Sequence, residues 1–135
     1  MKHLNQVSGA RGANNHMGSA FTEQTDKVAV VMDELRKRSL FFVDSKTTAH
    51  SVAHRLACRK GVPSVCRDVF LDNEPTESAI GIQMERLIGV ARHRGVAVGI
   101  AHPFPGTLKT LRKESARLKR EVEVVTAGDI VGQRR

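Results

Sequence analysis

Short apolar runs and helix-period segments alternate along the whole chain, and few architectures accept that alternation. Val28, Val31, Met32 and Leu35 repeat at i, i+3, i+4 and i+7, the spacing of one buried helix face. The compact run Leu40-Phe41-Phe42-Val43 follows, of strand length and stopped by Asp44-Ser45. The pattern then repeats. Ala49, Val52, Ala53 and Leu56 form a helical stripe ending near Gly61, and residues 64–68 read as the next strand. Ile80, Met84, Leu87, Ile88 and Ala91 line a longer helix closed near Gly95, ahead of a buried strand at 96–101. Leu108, Leu111 and Leu118 mark a last helix, and residues 122–125 a last strand. A short first strand is expected at 10–14, ending in the polar loop Asn15-His16-Met17-Gly18-Ser19, with Thr22 or Thr25 capping the helix after it.

Strands separated by helices imply βαβ crossovers, hence an α/β fold of alternating β/α units with a mainly parallel sheet. In such sheets ligands gather at the carboxyl ends of the strands. That rule selects among the polar residues. Asn14, Asn15 and His16, Asp44 with Ser45, Asp68, and His102 before Pro103 all close or follow an expected strand. A neutral His16 imidazole suits a divalent metal, with carboxylates from neighbouring loops. His102 suits a general acid toward a leaving group, and Asp44 suits orienting that imidazole, accepting a proton or binding metal. Asp68 and Asp72 suit either holding Arg67 and its loop or bonding ligand hydroxyls.

Plainer roles stay open beside these. A histidine at a strand end also serves as a hydrogen-bonded loop residue. Asp44-Ser45 is what an N-cap needs, and Asp72-Asn73-Glu74-Pro75 fits a turn and a helix start. His50, His54 and His93 fall in helical segments and read as surface residues. The sequence carries no HExxH, no Walker loop and no paired CxxC.

Composition narrows the partners. At 135 residues the chain is long enough for one domain with a core. The 22 Lys and Arg against 14 Asp and Glu give a formal +8, which raises nucleic acid as a ligand. Their placement argues against it. Arg36-Lys37-Arg38, Arg92-His93-Arg94 and residues 117–120 each end an expected helix, where cations complement the dipole. Phe is also the only member of the Phe/Tyr/Trp set, which leaves a base-stacking platform poorly supplied. Cys58 and Cys66 lack a CxxC spacing and read as small hydrophobes. No apolar run approaches the roughly 20 residues of a membrane span. Residues 1–18 lack the apolar stretch of a signal peptide, so no targeting signal is read, and residues 132–135 read as a basic tail.

Several motifs together resemble one family. Asn14-Asn15-His16-Met17-Gly18-Ser19, then Leu40-Phe41-Phe42-Val43-Asp44-Ser45, look like the divergent polysaccharide deacetylases. Gly61-Val62-Pro63, Arg67-Asp68-Val69-Phe70-Leu71-Asp72-Asn73 and Ala101-His102-Pro103 follow in the family's order, and the resemblance runs from about Asn5 to Val131. It implies a partial, distorted (β/α) barrel of the glycoside hydrolase and deacetylase type over residues 1–131. It also implies removal of N-acetyl groups from amino sugars by a metal-activated water, with zinc the expected metal. In this frame His16 is the metal-side histidine and Asp44 and His102 are catalytic. Asn14, Asn15, Asp68 and Asp72 then contact the carbohydrate. The family pattern opens with a strand ending in an Asp pair and a second His-bearing loop, and neither is found before Asn14.

That departure sets three further expectations. The first strand becomes an open sheet edge, which invites self-association. Turnover by this stretch is expected to be impaired, with a non-catalytic carbohydrate-binding or cell-envelope role on the same scaffold as the alternative and a basic nucleic-acid module as the third. Longer relatives are expected in the periplasm or cell envelope.

Overall fold

The computed structural model describes residues 6–131. In chain order the elements are β1 (Gly12–Asn14), α1 (Ser19–Thr22), α2 (Thr25–Lys37), β2 (Phe41–Asp44), α3 (Ala53–Arg59), β3 (Ser64–Cys66), β4 (Val69–Phe70), α4 (Glu77–Arg94), β5 (Gly99–Ile100), α5 (Pro105–Glu121) and α6 (Ala127–Val131). They form two compact units. One runs up to Cys66 and takes in α6; the other is Arg67–Thr126.

In the first unit β1, β2 and β3 pair in parallel in that order, which leaves β1 at an edge of the described sheet. The α2 stripe buries as its spacing requires: Val28, Met32 and Leu35 are each 1% exposed and pack with Leu40, Phe42 and Leu56. Each such side chain removed from water contributes about 1.5–3 kcal/mol. Asp26 in the first turn of α2 and Arg36 and Lys37 in the last suit its dipole. Ser39, at φ 55°, then turns the chain into β2. At Gly12 an added Cβ would meet the Phe41 ring, which would have to turn aside.

In the second unit β4 and β5 pair in parallel, Val69 with Gly99 and Phe70 with Ile100. Val69, Leu71, Ile80 and Met84 form the core, with Leu111 and Leu118 of α5 against it. Thr76 caps α4 by accepting the Ala79 N–H at 3.2 Å, and Gly95, at φ 79°, ends it in the left-handed conformation. Gly106 lies close to the α4 entry: a Cβ there would sit 2.8 Å from the Pro75 carbonyl oxygen. In an open helix Gly→Ala stabilises by about 0.4–1 kcal/mol. Gly106→Ala is expected to reverse that sign and cost about 1–3 kcal/mol, because backbone must move. The urea midpoint checks it; a midpoint at or above the parent's would refute the close approach.

Alternating β/α units and parallel sheets match the expectation, and the described strands do not close a barrel. Several details differ from the sequence reading: the N-cap of α2 is Gln24 rather than Thr22 or Thr25, and Ala49 lies in a turn ahead of α3. Residues 64–68 are not one strand: the ladder stops at Cys66 and resumes at Val69 in another sheet. Only Gly99 and Ile100 of 96–101 are ladder-paired. Residues 122–125 form no strand; Val124 is 67% exposed, so a β-branched run has no neighbour to pair with. The buried Ile130 and Val131 instead belong to α6, which packs on β2 and β3. In α5 the buried positions are Thr107, one turn before Leu111, and Thr110, while Leu108 is 44% exposed. The basic tail at 132–135 lies outside the described residues.

Candidate functional site

Parallel register builds the second unit's polar centre. Phe70 stands opposite Ile100, so two residues further on Asp72 stands opposite His102, both just past the carboxyl ends of their strands. Asp72 is 3% exposed. One of its oxygens, Oδ2, accepts the His102 backbone N–H at 2.6 Å and the Thr107 hydroxyl at 2.9 Å; Oδ1 lies 3.0 Å from His102 Nδ1. Burial pushes the Asp72 carboxyl up, but the His102 backbone N–H, the His102 ring and the Thr107 hydroxyl outweigh it, and the group is held below the usual carboxylate range. The carboxylate is therefore ionised at neutral pH and can only accept. Nδ1 must donate, which fixes the neutral tautomer with its lone pair on Nε2.

Aromatic rings flank the imidazole. Phe70 stacks at 5.4 Å between centroids and 27°, and Phe104 tilts against it at 5.1 Å and 30°. The Arg67 guanidinium lies 5.1 Å from the Phe70 ring centre. Pro103 precedes Phe104 and Pro105 opens α5.

Asp68 has a different place from the one expected. It precedes β4, at the amino end of the ladder, where Oδ2 accepts the Val98 N–H at 2.8 Å and Oδ1 pairs with Arg94 at 3.2 Å. Expected to close one strand, it instead ties the start of the next to its partner.

The first unit gathers Asn14, Asn15, Asp44 and Ser45 at the carboxyl ends of β1 and β2. The Ser45 N–H donates to Asn15 Oδ1 at 2.8 Å, its hydroxyl donates to the Asn15 carbonyl at 2.5 Å, and Asn14 Nδ2 donates to Ser45 Oγ at 3.2 Å. Met17 at φ 55° and Lys46 at φ 47° hold the two loops in left-handed turns that non-glycine residues adopt at a cost. Asp44, 1% exposed, accepts the Lys46 N–H at 2.8 Å, the Ser51 hydroxyl at 2.8 Å and the His54 N–H at 3.2 Å. These donors tie the loop and the first turn of α3 to Asp44, although the N-cap position of α3 itself is Val52 and not the Asp44-Ser45 pair. A cavity of about 170 Å³ lies in this unit, lined by Ala13, Asn15, Phe21, Val31 and Met32 among others. His54 is half-buried, with Nδ1 3.0 Å from Ser64 Oγ, and so is not the plain surface residue its helical position suggested. His50 is exposed in a turn ahead of α3.

His16 is exposed in the loop after β1. Among the described residues no group of three or more His, Cys, Asp or Glu side chains is placed to hold a metal ion. A structural or catalytic zinc needs three or four protein donors, so these residues alone do not fit the metal that the resemblance implies. Sequence reasoning missed Thr107, whose signal was its place one turn before Leu111 on the buried face of α5, and the aromatic flanks of His102. Among the described residues no helix is long and apolar enough to cross a membrane.

Comparison with known proteins adds what geometry does not. A family model described as divergent polysaccharide deacetylase matches residues 1–131. The chain is 35% identical over 130 residues to the protein YibQ of Escherichia coli (strain K12), over 96% of this chain and 41% of that protein. It is 36% identical over 126 residues to a protein of Haemophilus influenzae, over 93% of this chain and 45% of that one. The chain thus spans less than half the length of these curated relatives. The crystal structure of ATU2773 from Agrobacterium tumefaciens C58 superposes with a TM-score of 0.86 at 30% identity, covering 89% of this chain and 49% of that one.

Proposed function

The chain belongs to the divergent polysaccharide deacetylase family, and from that premise we propose that it is a carbohydrate-directed segment of a deacetylase-type domain, acting on N-acetylated amino sugars. The observation that carries the reading is the Asp72–His102 pair at the carboxyl ends of β4 and β5, with a buried carboxylate and a partly exposed imidazole. In amide hydrolysis the nitrogen must leave as an amine, which requires a proton. His102, oriented through Nδ1 by Asp72 and steadied by Phe70 and Phe104, offers Nε2 for holding and delivering it. Asp72 stabilises the charged ring while Thr107 and the His102 N–H keep that carboxylate in place.

Within the first unit, Asn14 and Asn15 enter the reading as sugar contacts, their amide groups suiting hydroxyls, and Asp44 as a proton acceptor. A divalent metal such as zinc at His16 would need donors beyond the described residues. The thin donor set is also the observation that favours the second reading, a carbohydrate-binding role on the same scaffold without turnover.

Acetate release from an N-acetylated chito-oligosaccharide is the test, with binding of the same oligosaccharide followed by NMR. Perturbed His102 ring signals are expected on titration. Where acetate is released, His102→Ala is expected to slow release by about 10²–10⁴-fold, the scale of a positioned proton donor. Ring signals that stay unmoved at millimolar oligosaccharide would sink both readings. Binding without acetate release would select the second.

A further inference from the structure

We infer that the outward face of Phe104 is a stacking platform for the apolar C–H face of a pyranose ring, set beside the His102 imidazole; the inference rests on the carbohydrate reading and assigns it a contact surface. Phe104 occupies the N-cap of α5, where Ser, Thr, Asp or Asn would accept an orphan helix N–H. Phenylalanine cannot, and no side-chain cap bond is made. Nor does the residue serve the core, since it is 43% exposed. Its position is nonetheless tightly specified. Pro103 and Pro105 flank it and restrict the backbone on both sides, and one ring face leans on His102 at 5.1 Å.

An exposed apolar ring on a restricted backbone next to a polar dyad has little to offer the folded state and much to offer a ligand with one apolar and one hydroxylated side. A pyranose is such a ligand. Its C–H groups carry partial positive charge and suit the negative face of an aromatic ring. The Arg67–Phe70–His102–Phe104 row puts successive planar groups in contact, and Phe104 ends it toward solvent. Pre-ordering by the two prolines removes part of the backbone entropy that a mobile loop would lose on binding. A sugar lying on Phe104 would present its ring-borne groups to His102, so the platform sets which part of the ligand meets the dyad.

The probe is N,N′,N″-triacetylchitotriose, titrated into the full chain and read by NMR and calorimetry. Phe104→Ala is expected to weaken binding about tenfold, the scale of one aromatic stacking contact. Phe104→Tyr, which keeps the ring face, is expected to bind within about twofold of the parent. Thermal melts should be nearly unchanged in both, because the side chain is half in solvent. Wild-type binding that Phe104→Ala leaves intact overturns the platform and spares the carbohydrate reading. Absence of binding by the parent chain overturns both.

Discussion

Asp72→Ala is expected to cost the Arg67–Thr126 unit about 3 kcal/mol, because it strands several donors at once. The His102 N–H, the His102 ring and the Thr107 hydroxyl all point at this carboxylate, and Thr107 is fully buried. An unsatisfied buried donor costs about 1–3 kcal/mol, while His102, partly exposed, recovers some of its loss through water. Urea unfolding read by amide exchange in α4 and α5 isolates this unit. A loss under about 1 kcal/mol would mean that the centre is not closed in solution. The same carboxylate sets an acid limit. Its folded pKa lies below the unfolded value of 3.8, so its contribution to stability is complete above that pH and fades as pH falls through the folded value. Asp72→Asn should therefore flatten the unit's stability profile below about pH 4, the range set by an ordinary aspartate.

The second large effect is expected at Asp44. Asp44→Ala removes the acceptor of the Lys46 N–H, the Ser51 hydroxyl and the His54 N–H, and should cost the first unit about 2–3 kcal/mol. Asp44→Asn separates this structural tie from the proton-acceptor role. An amide keeps one acceptor oxygen, so a tying residue should lose only about 1 kcal/mol on this change. A proton acceptor would instead lose acetate release while the melt stays near the parent's. A stable, fully folded Asp44→Ala protein would refute the structural tie.

Periodicity carried the architecture well where one face of an element is buried. The α2 and α4 stripes and the β2 run lie where spacing places them, because burial of Met32, Leu35, Ile80 and Met84 leaves a helix no other phase. It failed where apolar character and burial part company. Val124 and Val125 look like strand residues yet have no partner, and Leu108 looks like core while Thr107, a polar residue, takes the buried position. The split at Arg67 was illegible for a different reason. Arg67-Asp68 interrupts the β-forming residues of 64–70, which allowed a strand end there, but nothing local reports that the two sides join different sheets.

The candidate centre was half legible. His102 was marked by the carboxyl-end rule, whereas Asp72 was singled out only beside Asp68, as a residue to hold the Arg67 loop or bond ligand hydroxyls. Their pairing is a property of register, which sequence periodicity does not supply. Asp68 shows the converse. The same rule selected it on a strand boundary two residues out of place, and its carboxylate faces the amino end of the ladder.

The shortness of that ladder makes the dyad dependent on the rest of its unit. Two residue pairs join β4 to β5, and the histidine and aspartate they align are 30 positions apart. Closing so long a segment forfeits chain entropy that two pairs alone do not return. The packing of Ile80 and Met84 of the intervening α4 against Val69 and Leu71 supplies what offsets it. The imidazole thus reaches its tautomer-fixing partner only in the finished fold, and a nascent or partly denatured chain carries an ordinary solvated histidine at that position.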